Sequence, residues 1–254
     1  MLLAVDIGNS AIKFGIFDGD TLLSRSMIPA KRDYTNDAIL AAVDAGLDLP
    51  VENALVCSVV PELDETVSIL IAEKCGVNAE FVRNDMDFGL GINYKPLSTV
   101  GSDRLVNSFA AAEKYGVPCI VCSFGTATTF DVVNSKRELI GGLIAPGMAT
   151  MAKALHLNTA QLPEVTLERP PSIIAVNTVD SIRSGVFYGQ ISMIEGIVNR
   201  IFEQLGKRPT VIATGGFAET VEDETGVIDI VDENLLLEGL NLLFKRLYTG
   251  SDDE

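Results

Sequence analysis

Leu2-Leu3-Ala4-Val5-Asp6-Ile7-Gly8-Asn9-Ser10-Ala11-Ile12-Lys13 opens the chain, and its reading decides the fold. An apolar run ends in a carboxylate, a polar turn with a glycine follows, and a second apolar run starts at Ile12. That is the pattern of strand, turn and strand. A carboxylate at a strand end is suited to a hydrated divalent cation. Gly8 lets backbone approach a phosphate with no Cβ in the way. The turn N–H groups, with Asn9 and Ser10, are potential phosphate donors. Lys13 can meet the phosphates as a point charge. The same stretch also reads as a plain hairpin turn.

The pattern restarts later in the chain. Leu3-Ala4-Val5-Asp6-Ile7-Gly8-Asn9-Ser10 aligns with Ile120-Val121-Cys122-Ser123-Phe124-Gly125-Thr126-Ala127, with glycine on glycine. In the first segment, strands are expected over 2–5, 12–17, 21–26 and 54–60, and helices over 36–45, 63–75 and 104–115. In the second, strands are expected over 120–122, 129–133, 138–144 and 210–213. A polar turn over 123–128 divides the first two. Helices are expected over 148–155, 178–205 and 235–248. The expected architecture is α/β: two similar halves, 1–117 and 118–254, facing a shared cleft.

Composition narrows the function. The 254 residues carry 19 Lys and Arg against 35 Asp and Glu, a formal charge of −16. Such a balance disfavours nucleic acid or an anionic membrane as the partner. No run of about 18 apolar residues occurs, so no membrane span is expected. The chain starts directly on a strand, which makes a cytoplasmic protein the expectation. Cys119 and Cys122 have C-x-x-C spacing, but they sit in an apolar run and read as core. The lone His156 cannot build a histidine-rich metal site.

Three further clusters bear on chemistry. Gly101-Ser102-Asp103-Arg104 precedes a helix. Asp103 is either its N-cap or a general base beside an arginine that holds a carboxylate. Thr126 and its neighbours after Gly125 suit a second phosphate contact, or simply strand propensity. Thr214-Gly215-Gly216 fits close approach of a flat ligand, or a tight turn.

Together these segments resemble the type III pantothenate kinases, in the superfamily of actin, hexokinase and acetate kinase. The resemblance also rests on Ser58-Val59-Val60-Pro61, Tyr94-Lys95-Pro96, Phe124-Gly125-Thr126-Ala127-Thr128-Thr129-Phe130-Asp131, Gly141 to Gly147, Leu155 to Pro163, Asn177-Thr178, Ser184-Gly185 and Leu237-Glu238-Gly239-Leu240. It implies two ribonuclease H-like halves with mixed sheets, an ATP cleft between them, and a homodimer. ATP is then held by Asp6, Ile7, Gly8, Asn9, Ser10, Ala11, Ile12, Lys13 and Thr126. Pantothenate is held by Tyr94, Gly101, Ser102, Asp103 and Arg104, with Thr178 reaching across from the other subunit. Asp103 is the proton acceptor, and magnesium bridges the ATP phosphates near Asp6 through water. The product is 4′-phosphopantothenate, at the first step of coenzyme A synthesis.

One departure matters. The family pattern carries Asp where this chain has Ser123, at a position associated with potassium or ammonium. Serine offers a neutral hydroxyl there, and a cation loses its Coulomb partner. The alternative expectation is therefore a catalytically weakened relative that binds ligands or regulates.

Overall fold

The computed structural model describes residues 1–34, 38–39 and 50–248. These form two compact units. The first comprises 1–116, 133–140 and 234–254, and the second 117–132 and 141–233. The division expected at 117/118 follows sequence order. The structure instead gathers the C-terminal helix and part of a later strand into the first unit.

In that unit, β1 (Leu2–Ile7) is buried at every position, as a central strand covered on both faces must be. It pairs antiparallel with β2 (Ala11–Asp18), which pairs antiparallel with β3 (Thr21–Pro29). On its other side β1 pairs parallel with β4 (Asn53–Ser58), which pairs parallel with β5 (Ala79–Phe81). The order is β3-β2-β1-β4-β5. β3 alternates between covered and exposed residues and ends in Pro29, as suits a sheet edge.

Helix α1 (Asp64–Cys75) is closed by Gly76, whose φ of 71° is left-handed and whose N–H reaches the Ala72 carbonyl. The helix expected over 36–45 lies largely outside the described residues. β6 (Gly91–Ile92) runs parallel to Glu138 and Leu139 of a later strand. Helix α2 (Ser102–Tyr115) is buried along most of its length. The C-terminal helix α6 (Leu235–Tyr248) packs against it, and this contact draws the end of the chain into the first unit. A Cβ on Gly239 would lie 2.8 Å from the Ala110 Cβ, so glycine lets the two helices meet closely.

The second unit repeats the plan. β7 (Cys119–Phe124) pairs parallel with β10 (Thr210–Thr214), and β10 with β11 (Ile230–Val231). β8 (Ala127–Val133) and β9 (Glu138–Pro146) continue the sheet in the order β11-β10-β7-β8-β9. With β9-β8-β7-β10-β11 set on β3-β2-β1-β4-β5, the two halves share one strand order. The duplication legible in the glycine-on-glycine alignment is therefore a duplication of topology. Helices α3 (Met148–Leu157), α4 (Thr178–Leu205) and the short α5 (Ala218–Glu222) complete the unit. Its core includes Phe124, Phe130, Phe187, Ile194 and Val211. Cys119 and Cys122 are wholly buried on β7, and burial together with the Asp131 charge pushes the Cys122 thiol up. Among the described residues no helix is long and apolar enough to cross a membrane.

One boundary shift bears on the site. The turn expected over 123–128 shrinks to Gly125-Thr126, because Phe124 and Thr128 are both buried and extend the strands. Ser123 therefore lies in the ladder opposite Thr214, and not in a loop.

Candidate active site

The first unit assembles one cluster at the ends of β1 and β4 and the start of α2. Asp6 is the penultimate residue of β1 and is only 6% exposed. The turn after it closes through Gly8 N–H to the Ala11 carbonyl at 3.0 Å. A Cβ on Gly8 would come 3.2 Å from that same carbonyl, so glycine keeps the turn tight. Asn9 and Ser10 are exposed at its tip. Ile7 and Ile12 are wholly buried in the core, which leaves only their backbone for a ligand. Lys13 pairs with Asp6 across the β1–β2 ladder, Nζ to carboxylate oxygen 3.2 Å.

β4 brings the second component. Cys57 and Ser58 stand beside Asp6 and Ile7 in parallel register. The Ser102 hydroxyl donates to the Ser58 carbonyl at 3.0 Å, and the Cys57 thiol donates to the Ser102 oxygen at 3.3 Å. These bonds tie the first residue of α2 to the strand that flanks Asp6.

The N-cap position of α2 is Gly101, which has no side chain to cap with, so Asp103 is not the N-cap residue. It stands inside the first turn, where one carboxylate oxygen accepts the Arg104 N–H at 2.8 Å. A Cβ on Gly101 would collide with that oxygen. Arg104 is 6% exposed; it donates to the Tyr94 hydroxyl at 3.3 Å, with its guanidinium carbon 5.3 Å from the Tyr94 ring centroid. The ring face and the hydroxyl together orient the guanidinium.

Burial raises the pKa of both carboxylates. For Asp6 the Lys13 charge and hydrogen bond oppose the rise. For Asp103 the Asp6 charge adds to it, and the Arg104 N–H and guanidinium oppose it. A carboxylate whose proton affinity is raised by burial and by a second carboxylate favours a cation nearby. Hard carboxylate oxygens of this kind fit a magnesium ion held through water. Among the described residues no group of three or more His, Cys, Asp or Glu is gathered for direct metal ligation.

The second unit presents the matching turn. Gly125 N–H reaches the Ala127 carbonyl at 3.0 Å, as Gly8 does with Ala11. Glycines hem this turn in. A Cβ on Gly147 would collide with the Gly125 carbonyl, and one on Gly215, whose φ is 94°, would lie 2.6 Å from the Phe124 carbonyl. The Gly215 signal in the sequence thus marks a close backbone approach to the Thr126 turn. Ser123 is half-buried just before it. Asp131 is buried further along β8 and accepts from Thr129 at 3.4 Å. Thr178 opens α4, after Asn177 caps the helix by accepting the Asp180 N–H at 2.9 Å. It lines a groove of about 1020 Å³ together with Thr150, Met151, Leu155 and Val176. Sequence reasoning missed Thr150, since a threonine in the first turn of a helix carries no signal of its own.

A family profile describing type III pantothenate kinases matches residues 2–200. The chain belongs to the type III pantothenate kinases. A type III pantothenate kinase of Solibacter usitatus is 41% identical over 252 residues, covering 97% of each chain. One of Brevibacillus brevis is 39% identical over 253 residues, covering 97% of this chain and 99% of the relative. Among solved structures, a conserved putative Baf family transcriptional activator from Campylobacter jejuni superposes with a TM-score of 0.60 at 19% identity, covering 97% of this chain and 99% of that one, and shares the fold. The kinase is an α/β protein with two mixed sheets.

Proposed function

We propose that the Asp6–Asp103 cluster of this kinase carries phosphoryl transfer from ATP to pantothenate. As a type III pantothenate kinase, the protein is a phosphotransferase that phosphorylates pantothenate for coenzyme A biosynthesis. The observation that carries the assignment is the meeting of two half-dry carboxylates with Lys13 on one side and Arg104 on the other.

Arg104, steadied by Tyr94, holds the pantothenate carboxylate through charge-assisted hydrogen bonds. Gly101 and Ser102 start the helix that presents it, and their backbone forms the floor of the substrate site. Asp103 accepts the proton of the attacking hydroxyl. Its raised proton affinity brings its pKa closer to neutral pH, where a general base works best. The turn from Gly8 to Ala11, flanked by Ile7 and Ile12, offers backbone N–H groups to the ATP phosphates, and Lys13 adds a positive charge. Thr126 supplies a second phosphate contact. Asp6 holds magnesium through water, and the bound ion supplies charge neutralisation of the phosphates. Ser123, at the family's monovalent-cation position, brings no charge, so potassium or ammonium has a weaker claim on this site.

The kinase acts as a homodimer, with Thr178 reaching the partner's pantothenate. Exposed apolar side chains support this reading: Ile174 is 81% and Val176 is 99% exposed beside the groove that Thr178 lines. A monomer rarely leaves such a patch open. The net charge of −16 supports an enzyme that works away from nucleic acid and anionic membrane, and a cytoplasmic location fits that reading.

The deciding experiment is transfer from ATP to pantothenate with magnesium, with and without potassium. Phosphopantothenate formation is the expected outcome. Ligand binding without turnover would favour the weakened relative.

A further inference from the structure

The carbonyl of Thr126 accepts two hydrogen bonds from the start of α3. Gly147 N–H reaches it at 3.0 Å and the Thr150 hydroxyl at 2.6 Å. Gly147 is the N-cap position of α3, and it lies so close to the Gly125–Thr126 backbone that no Cβ fits between them. A peptide C=O and its N–H point in opposite directions. Anchoring the Thr126 carbonyl with two donors therefore fixes the plane of the Thr126–Ala127 peptide, and with it the aim of the turn. Within the turn, Gly125 N–H also reaches the Ala127 carbonyl. Gly147 contributes its backbone N–H, at a position where only glycine fits. Thr150 contributes a side chain.

We propose that Thr150 is a positioning residue for nucleotide binding, holding the Thr126 turn in the orientation that meets the ATP phosphates. The proposal rests on the reading of Thr126 as a phosphate contact. Thr150 acts through Thr126 and does not itself touch the nucleotide. Its bond survives in Thr150→Ser, which keeps the hydroxyl. It is lost in Thr150→Val, which keeps the shape. Loss of one neutral hydrogen bond corresponds to about a five-fold change in an equilibrium.

The test is calorimetric titration of the full-length protein with a non-hydrolysable ATP analogue and magnesium, alongside steady-state kinetics. Thr150→Val is expected to weaken analogue binding about five-fold, with KM for pantothenate and the oligomeric mass unchanged. Thr150→Ser is expected to bind as the parent does. Unchanged analogue affinity in Thr150→Val overturns the proposal. So does a loss that serine does not restore, or one accompanied by a changed mass, since either assigns the effect to packing or to the groove. Thr126→Ala separates the two levels. If it leaves analogue affinity intact, the turn is not a phosphate contact and both readings fall. If it weakens binding while Thr150→Val does not, only the positioning role falls.

Discussion

The ammonium of Lys13 lies 3.2 Å from the Asp6 carboxylate, and the two residues face each other across the β1–β2 ladder. Lys13 opposes the rise in proton affinity that burial gives Asp6, and in the proposed reading the same ammonium offers charge to a phosphate. Asp6 is pushed up by burial and pulled back by Lys13. Removing the ammonium lets its pKa rise further. Lys13→Met is expected to raise KM for ATP by on the order of tenfold, the scale of a charged hydrogen bond. The acid limb of the rate profile should move to higher pH. Measuring KM for ATP across pH checks both effects, and an unmoved acid limb would remove Asp6 from the titration.

The role proposed for Asp103 comes with a cost in stability. Its folded pKa is raised, so the folded state holds the proton more tightly than the unfolded state does. Its contribution to stability is fully present below the unfolded value, near 3.8, and is lost as pH rises through the folded pKa. Asp103→Asn, which cannot ionise, is expected to have a higher Tm than the parent at pH 7, with the gap closing toward pH 4. Turnover should fall at least about 100-fold, the scale of general-base catalysis. Thermal melts over that range, paired with the kinase assay, test the two halves of the statement separately.

Gly101 leaves the space that the Asp103 carboxylate occupies. Any Cβ there meets the oxygen that accepts the Arg104 N–H. Gly101→Ala is expected to lower kcat by on the order of tenfold by turning Asp103 out of line. Its backbone φ of −63° suits alanine, so the Tm should change little. A large drop in Tm would instead point to general damage at the start of α2.

Arg104 and Tyr94 form one unit through a hydrogen bond and a ring contact. Arg104→Ala is expected to raise KM for pantothenate by on the order of 100-fold, the loss of a charged hydrogen-bonded contact. Tyr94→Phe keeps the ring under the guanidinium and loses only the 3.3 Å bond, so it should cost a few-fold. Equal effects of the two variants would argue that the hydroxyl, and not the guanidinium, meets the substrate.

Ser123 faces Thr214 in the ladder, and among the described residues no carboxylate is seen bonded to it. Restoring the charge with Ser123→Asp is expected to produce or enlarge a stimulation of turnover by potassium, since a cation regains its Coulomb partner. Titrating potassium chloride against sodium chloride at constant ionic strength reads this out. A flat response in the variant would refute the assignment of this position to a monovalent cation.

Much of the site was legible before any fold was known. Asp6, Gly8 and Lys13 announce themselves because a hairpin is local: strand, glycine turn and strand follow one another along the chain. Asp103 and Arg104 were legible as a pair, but their roles were not. Whether Asp103 caps a helix or stands free for chemistry depends on where α2 starts, and the bond from Ser102 to the Ser58 carbonyl helps set that point. The turn after β7 is shorter than its residues suggest, because serine and threonine carry turn and strand signals alike. The burial of Phe124 and Thr128 decided in favour of strand.

By itself, the sequence determined the α/β class, the duplicated strand–turn–strand units, and the family, through ordered motifs of local geometry. Only the tertiary structure decided that Asp6 and Asp103 share a field, that Tyr94 steadies Arg104, and that α6 packs with the first unit through Gly239 against α2. The same holds for the grip of Gly147 and Thr150 on the Thr126 carbonyl. Each of these joins residues far apart along the chain. Such pairs leave no periodicity to read, because the proximity that couples them exists only once the sheets and helices have packed.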